Sequence, residues 1–461
     1  MLLQFSVKNF LSFRDEVVLN MLPAKSRLLK AHVIEDRKGK KTECLPLAVV
    51  YGANASGKTN LVNAIDFVRN LVVSDTQASG TTGVTPFRLG VNCENAPSQF
   101  ELVFKHDGVV YTYGFILNNS VVLEEWLFAY FTPRESKIFE RKTEKDKVRV
   151  EAGSRLARTK DKRQFIRFVG QGTRPNQLFL TEANNRNVKL LEPIAHWFHD
   201  HLKIIRPQSL DQFLTLRVDK DESFVDFLST FLRETDTGIS AVRAEAEELD
   251  IGKHLKGMPP RLWEQIKGNL LAGKSDQLLV HRTEHGREES GAIVKGQEDA
   301  SDDDQNLQYL RLRTSHKRDD GSDVDFELSA ESDGTRRLMH LAPMLLDLHI
   351  SEQVYVIDEL DRSLHPLLSR KFVEAFLDQV QRKASRGQLI LTTHDTTLLD
   401  RELLRRDEIW FTEKDSEGAC HMTSLAEYKV SEGLNYASGY LNGRFGAIPF
   451  LGNFHGLPLK L

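Results

Sequence analysis

The stretch VVYGANASGKTN, residues 49–60, constrains the fold more than any other. It overlaps the apolar run LAVVY (47–51) and precedes Leu61, Ile65 and Val68, which recur at helical spacing. A short buried strand, a glycine-rich turn and a helix must therefore follow one another directly. The turn fits Gly52-x-x-x-x-Gly57-Lys58-Thr59. Glycines let successive backbone N–H groups point inward around phosphate oxygens, and the helix N-terminus adds its dipole. In such a loop Lys58 reaches the β- and γ-phosphates, and the Thr59 hydroxyl faces Mg²⁺. Gly52, Asn54, Ser56, Gly57, Lys58, Thr59 and Asn60 are the expected nucleotide contacts. The competing reading, an ordinary glycine-rich turn, leaves the flanking strand and helix unexplained. No base-reading motif separates ATP from GTP.

With 461 residues the chain can bury a large core and form two or three domains. Its net charge of −4 provides no whole-molecule field toward nucleic acid, although local patches remain open. Cys44, Cys93 and Cys420 are widely separated and form no CxxC pair, which argues against a disulfide framework or a zinc site. The opening MLLQFSVKNFLSF has neither a basic leader nor a long apolar run, and no apolar stretch of about 18 residues occurs. The expectation is a soluble, cytoplasmic protein without a membrane segment.

Alternating apolar positions (Phe5, Val7, Val17, Leu19) predict strands near the start. Residues 99–104 and 111–117 flank the turn signal His-Asp-Gly, with Tyr111, Tyr113, Phe115 and Leu117 on one face. Residues 121–131 continue this antiparallel meander. From 134 to 167 thirteen Lys or Arg face six Asp or Glu. A solvated charged hairpin or helix explains that stretch, and a nucleic-acid or partner patch is the alternative. Residues 176–280 read as mainly helical, with amphipathic pieces at 194–202 and 224–232, and the acidic stretch 286–306 as a loop. Thereafter the pattern alternates: helix 338–350, strand 354–357, helix 367–380, strand 388–392, helix 397–405, strand 408–411. That order predicts an α/β fold with a mostly parallel, helix-covered core sheet.

VYVIDE (354–359) is a strand ending in two acids, which suits Asp358 to Mg²⁺ and Glu359 to orienting or deprotonating a water. Ser332-Asp-Gly334 opens the helix carrying Leu338, Leu341, Leu345 and Leu348. It reads as an anion site or as a plain N-cap. LILTTH (389–394) is a buried strand ending in His394, which taken by itself is better explained as a loop cap. Parallel strands that end together would bring the P-loop, the acids and His394 to one crevice.

With these motifs in place the chain resembles the ABC-type ATPases of the RecF/SMC branch. VYGANASGKT is similar to Walker A, SAESDGT to the signature, VYVIDELD to Walker B with the D-loop, and LTTH to the switch histidine. KNFLSF, NQLFLTEANN (176–185), RRDEIWFTEKD (405–415) and YLNGRFGAIP (440–449) resemble the abortive-infection and restriction-linked ATPases, the AbiL/RloA kind and the ATPase of the PARIS anti-phage system. The signature departs from Ser-Gly-Gly by reading Ser-Asp-Gly. Gln77 and Gln99 both stand as candidates for the Q-loop glutamine.

The resemblance implies an ABC-type head in two lobes, 1–150 and 318–461, around a mainly helical insertion, 151–317. It implies a head-to-head homodimer, or a higher homo-oligomer, in which ATP on one copy is closed over by Ser332 and Gly334 of the other. Asp361 would line the interface, Glu359 would act as general base, and His394 would sense the γ-phosphate. The implied role is a slow ATPase clamp, the sensor or regulator of an anti-phage system. Only 67 residues follow His394, so a nuclease activity is expected on a separate effector, which the resemblance suggests is Toprim-like. The alternatives are a RecF-like DNA-repair ATPase and a nucleotide switch with little turnover.

Overall fold

The computed structural model describes residues 1–26, 28–35, 43–77, 79–145, 147–209, 211, 213–255, 258–272, 277–284, 287–295, 307–350, 352–382, 385–431 and 433–449. In chain order the elements begin with β1 (Leu2–Lys8), β2 (Val17–Asn20), β3 (Leu47–Gly52), α1 (Lys58–Val73), β4 (Ser98–His106), β5 (Val109–Leu117), β6 (Val122–Tyr130), β7 (Ser136–Glu144) and β8 (Lys147–Ala152). Next come α2 (Lys160–Gly172), α3 (Phe179–Asn185), α4 (Glu192–His196), β9 (Leu202–Ile205), α5 (Leu214–Lys220), α6 (Glu222–Glu234), β10 (Ile239–Glu248), α7 (Ile251–His254) and α8 (Pro260–Leu271). The remainder are β11 (Gln277–Glu284), β12 (Arg287–Lys295), β13 (Leu307–Lys317), β14 (Asp323–Glu327), α9 (Asp333–Ile350), β15 (Val354–Ile357), α10 (Pro366–Gln381), β16 (Gln388–Thr392), β17 (Ile409–Lys414), β18 (Cys420–Ser424) and α11 (Tyr436–Leu441).

The chain divides into two compact units. The first comprises Met1–Pro207, Leu348–Asp361 and Ser369–Leu461, and holds two sheets. One is a seven-stranded antiparallel sheet in the order β2-β1-β4-β5-β6-β7-β8. Its alternation is visible in β5, where Tyr111, Tyr113, Phe115 and Leu117 are all buried, and the β4–β5 turn places Asp107 and Gly108 at positive φ. The other is a six-stranded sheet, β18-β17-β3-β16-β15-β9, parallel except for the edge strand β18. Strands β3, β15 and β16 are buried at every residue, as apolar runs covered on both faces should be. A shared core packs Phe5, Phe100 and Phe104 with Val50, Leu61 and Trp197. The buried Gln388 amide links β16 to β1, accepting from Leu2 N at 2.6 Å and donating to Leu2 O at 3.0 Å.

The second unit, Gln208–Asp347 with Arg362–Leu368, contains an antiparallel sheet, β10-β13-β12-β11, with β14 paired to β13. The helices expected across 176–280 are present, and β9, β10 and the start of β11 lie among them. Strand β10 is rich in Ala and Glu, residues that favour helix. Its cross-strand partners override that preference: Glu245 accepts from Arg313 at 2.7 Å, and Glu247 pairs with Arg311 at 3.0 Å. The stretch 286–306, expected as a loop, contains β12 at 287–295, hydrogen-bonded between β11 and β13. Residues 286 and 296–306 lie outside the described residues.

The helix expected at 397–405 does not form. Single 3₁₀ turns occupy Thr396–Leu398 and Arg406–Glu408. Asp395 caps the Thr397 N–H at 2.9 Å, and the Arg405 guanidinium binds Asp407 and the Ala24 carbonyl, so local and tertiary hydrogen bonds displace the helical ladder. No helix among the described residues is long and apolar enough to cross a membrane.

Candidate nucleotide site

Strand β3 ends at Gly52, where close packing excludes any side chain: a Cβ would lie 2.3 Å from Ser56 Oγ and 2.4 Å from Thr412 Oγ1. The loop then bends back, with Ala55 at φ 62° and Gly57 at φ 106°. A Cβ on Gly57 would also lie 2.9 Å from Cys420 Sγ. Ser56 Oγ and Thr412 Oγ1 share a hydrogen bond of 2.7 Å, which anchors the loop to β17. Asn54 at the loop's crest is exposed, and Asn60 Nδ2 donates to Ser12 Oγ at 2.8 Å.

The Lys58 amine is buried and donates to two neutral carbonyls of its own loop, Gly52 O at 2.7 Å and Ala53 O at 3.0 Å. Burial lowers its pKa to about 8 despite Asp361, Asp358 and Glu359 nearby. A buried cation on neutral acceptors at a helix N-terminus is suited to a polyphosphate. Thr59 Oγ1 donates to the buried Asp358 Oδ1 at 3.3 Å, and Thr392 Oγ1 donates to the same oxygen at 2.8 Å. A hydroxyl beside a carboxylate is a hard-oxygen donor set of the kind Mg²⁺ prefers.

The parallel register aligns the strand ends: β16 pairs with β3 at Thr392↔Val50 and with β15 at Leu391↔Ile357. The P-loop, Asp358, Glu359 and His394 thus emerge from the carboxyl ends of three adjacent strands. Glu359 is half-buried at φ 49°, and its N–H donates to Thr392 Oγ1 at 2.8 Å. His394 is exposed. Its N–H donates to Asp361 Oδ2 at 3.2 Å, while Asp361 Oδ1 is buried without a hydrogen bond. Partial burial and the Lys58 charge lower the His394 pKa, keeping its ring neutral at neutral pH.

Ser332 and Gly334 belong to the second unit. Ser332 Oγ accepts from Thr335 N at 3.1 Å, so Ser332 caps the start of α9. A Cβ on Gly334 would lie 2.6 Å from Ser363 O in the same unit, which requires glycine there. Of the two glutamine candidates, Gln77 lies in the loop after α1 and its carbonyl accepts from Asn176 at 2.9 Å, whereas Gln99 lies within β4.

Motif reading overlooked the second ring of residues. Thr392 serves Asp358 and Glu359 together, and Thr412 anchors Ser56. A cleft of about 640 Å³ opens beside the loop, lined by Ala53, Asn54, His394, Lys414, Tyr440 and Ile448. Its far wall is the segment 440–449, which packs on the sheet: Tyr440 stacks on Phe411 at 5.5 Å, and Phe445 stacks on Phe411 at 5.3 Å. For Thr392, Thr412 and Lys414 the signal is position alone, at or just beyond the end of an apolar strand, whereas 440–449 carries the motif YLNGRFGAIP. The basic stretch forms the β7–β8 hairpin and α2. Arg141 is fully buried within it, whereas Lys160, Lys162 and Arg167 are exposed.

A sequence model of the family described as "AAA domain, putative AbiEii toxin, Type IV TA system" matches residues 47–400. No curated protein matches. Among solved structures the chain is similar to the SMC head domain from Thermotoga maritima, with a TM-score of 0.36 and 13% identity over 93% of this chain and 99% of that one. It is also similar to an SmcHead bound to the C-winged helix domain of ScpA, with a TM-score of 0.36 and 15% identity over 92% and 97% of the two chains.

Proposed function

The chain belongs to the AAA-domain family described as putative AbiEii toxin, type IV TA system, and from that premise we propose that it is a slow, dimerising ATPase clamp in the cytoplasm. It acts as sensor or regulator of an anti-phage defence system and controls a separate effector, a Toprim-like nuclease. One observation carries the catalytic part: Lys58, the Thr59–Asp358 pair, Glu359 and His394 all emerge where three adjacent parallel strands end. Lys58 binds the β- and γ-phosphates, and Thr59 and Asp358 hold Mg²⁺. The metal, when bound, offsets charge gathering on the phosphate oxygens. Glu359 orients and deprotonates the attacking water. His394, neutral and exposed, hydrogen-bonds the γ-phosphate. Ser332 and Gly334 of a second copy close the site, with Asp361 at the interface.

Binding of a fluorescent ATP analogue, followed by sizing chromatography, tests this reading. Lys58→Ala is expected to lose binding, and Glu359→Gln to keep it and accumulate a larger closed assembly with ATP. Wild-type hydrolysis by Glu359→Gln would remove the proposed base. A second reading, a RecF-like DNA-repair ATPase, is favoured by the exposed face of α2. There Phe165 (43% exposed) and Phe168 (61% exposed) lie beside exposed Lys162 and Arg167. Duplex DNA added to the wild-type preparation separates the two, because only the repair ATPase gains a stimulation that fades steeply with salt.

A further inference from the structure

We infer that Lys414 is a second phosphate-contacting cation of the nucleotide site, supplied by the same copy from the end of β17; the inference rests on polyphosphate binding at the P-loop. Strand β17 lies parallel to β3, with Thr412 opposite Gly52. Side chains two apart on a strand share a face. Thr412 already reaches the loop through Ser56 Oγ at 2.7 Å, so Lys414, two residues on, belongs to the strand face that meets the loop. The cleft bears this out, since Lys414 lines it together with Ala53, Asn54 and Ser56.

The carboxylates of Glu413 and Asp415 line the same cleft as Lys414, and among the described residues their partners are groups other than the Lys414 amine. Glu413 is engaged by the far wall, where Ala447 N donates to its carboxylate at 3.4 Å. Asp415 accepts from Ala419 N at 2.8 Å and pairs with His421 at 2.9 Å and with Arg14 at 3.6 Å. Lys414 is exposed, and no ion pair or hydrogen bond holds its amine among the described residues. An exposed amine lining the cleft beside the P-loop is suited to the outer oxygens of a polyphosphate. Lys58, by contrast, donates to two carbonyls of the loop itself, Gly52 O and Ala53 O.

Competition calorimetry with ATP, ADP and inorganic tripolyphosphate tests the inference without any need for turnover. Lys414→Gln is expected to weaken all three ligands about tenfold, the size of one solvent-facing charge-assisted contact. It should also flatten the dependence of affinity on salt, leave the melting temperature unchanged, and be rescued to within about twofold by Lys414→Arg. Unchanged tripolyphosphate affinity in Lys414→Gln, alongside loss of binding in Lys58→Ala, would overturn the inference and leave the P-loop reading intact. Undiminished binding in Lys58→Ala would overturn both.

Discussion

Burial pulls the Lys58 amine from its ordinary 10.5 to about 8, against the opposing influence of Asp361, Asp358 and Glu359. A bound polyphosphate adds negative charge at hydrogen-bonding distance and raises that pKa again. The sign of the linkage follows. Near pH 8 the free protein carries a partly deprotonated Lys58 and the complex a fully protonated one, so binding takes up a proton. Affinity should therefore fall as pH rises through about 8, and level off above the pKa of the complex. Calorimetry of ADP binding at pH 8, in two buffers of different ionisation enthalpy, should show uptake of roughly half a proton per nucleotide. Zero uptake would mean that the amine is not at the phosphates. At this scale the motif was legible in sequence because each position has its own physical demand. Gly57 needs φ 106°, and Gly52 has no room for a Cβ. Thr412 and Lys414 were not legible as site residues, because nothing in FTEKD states which strand β17 lies beside.

Segment 176–185 shows what an element can do that a residue list cannot. Glu125, buried on β6, accepts from Phe179 N at 2.6 Å, Leu180 N at 3.0 Å and Tyr113 Oη at 3.0 Å. Arg141, buried on β7, donates to the carbonyls of Val122, Pro175 and Gln177. The same segment grips the nucleotide helix and the loop after it, with Thr181 Oγ1 donating to Val72 O at 2.9 Å and Asn176 Nδ2 to Gly80 O at 2.8 Å. It thus straps α1 to the seven-stranded sheet. Arg141→Met would leave several buried carbonyls without their donor and remove a positive charge from the neighbourhood of the buried Glu125, a loss of about 3–5 kcal/mol. In calorimetry the unfolding of the first unit should shift down by roughly 6 °C, and an unshifted transition would remove this network from the stability of the fold. Arg141 also shows why the basic stretch could not be read correctly from charge alone. It counts toward the positive excess, yet its carbonyl partners come from residues 122 and 174–177, on segments whose proximity only the fold establishes. The meander itself was legible, because a sheet with one wet face writes its alternation into the sequence. The segment 397–405 was not, because its apolar spacing suits a helix while Arg405 and Asp395 spend their hydrogen bonds elsewhere.

For the whole molecule, the proposed clamp makes a quantitative demand on how copies combine. Ser332 caps α9 through its hydroxyl, and both it and Asp333 are exposed, available to a second copy. Ser332→Arg removes that cap at a cost of about 1 kcal/mol, too little to unfold the chain, and places bulk and positive charge at the closing surface. A two-fold pairing gives each dimer two composite sites, each with a P-loop from one copy and a signature from the other. Lys58→Ala spoils only its own P-loop, and Ser332→Arg spoils only the site of its neighbour. Each variant alone should therefore be inactive. In an equal mixture half of the dimers are mixed, and each mixed dimer holds one intact site, formed by the P-loop of the Ser332→Arg copy and the signature of the Lys58→Ala copy. Turnover per chain should then recover to roughly a quarter of wild type. Recovery should disappear when the copies are kept from exchanging, for instance by immobilising them at low density before ATP is added. Full activity in Ser332→Arg alone, or a mixture as silent as its components, would mean that each chain hydrolyses ATP unaided and that closure by a second copy has no part in the chemistry.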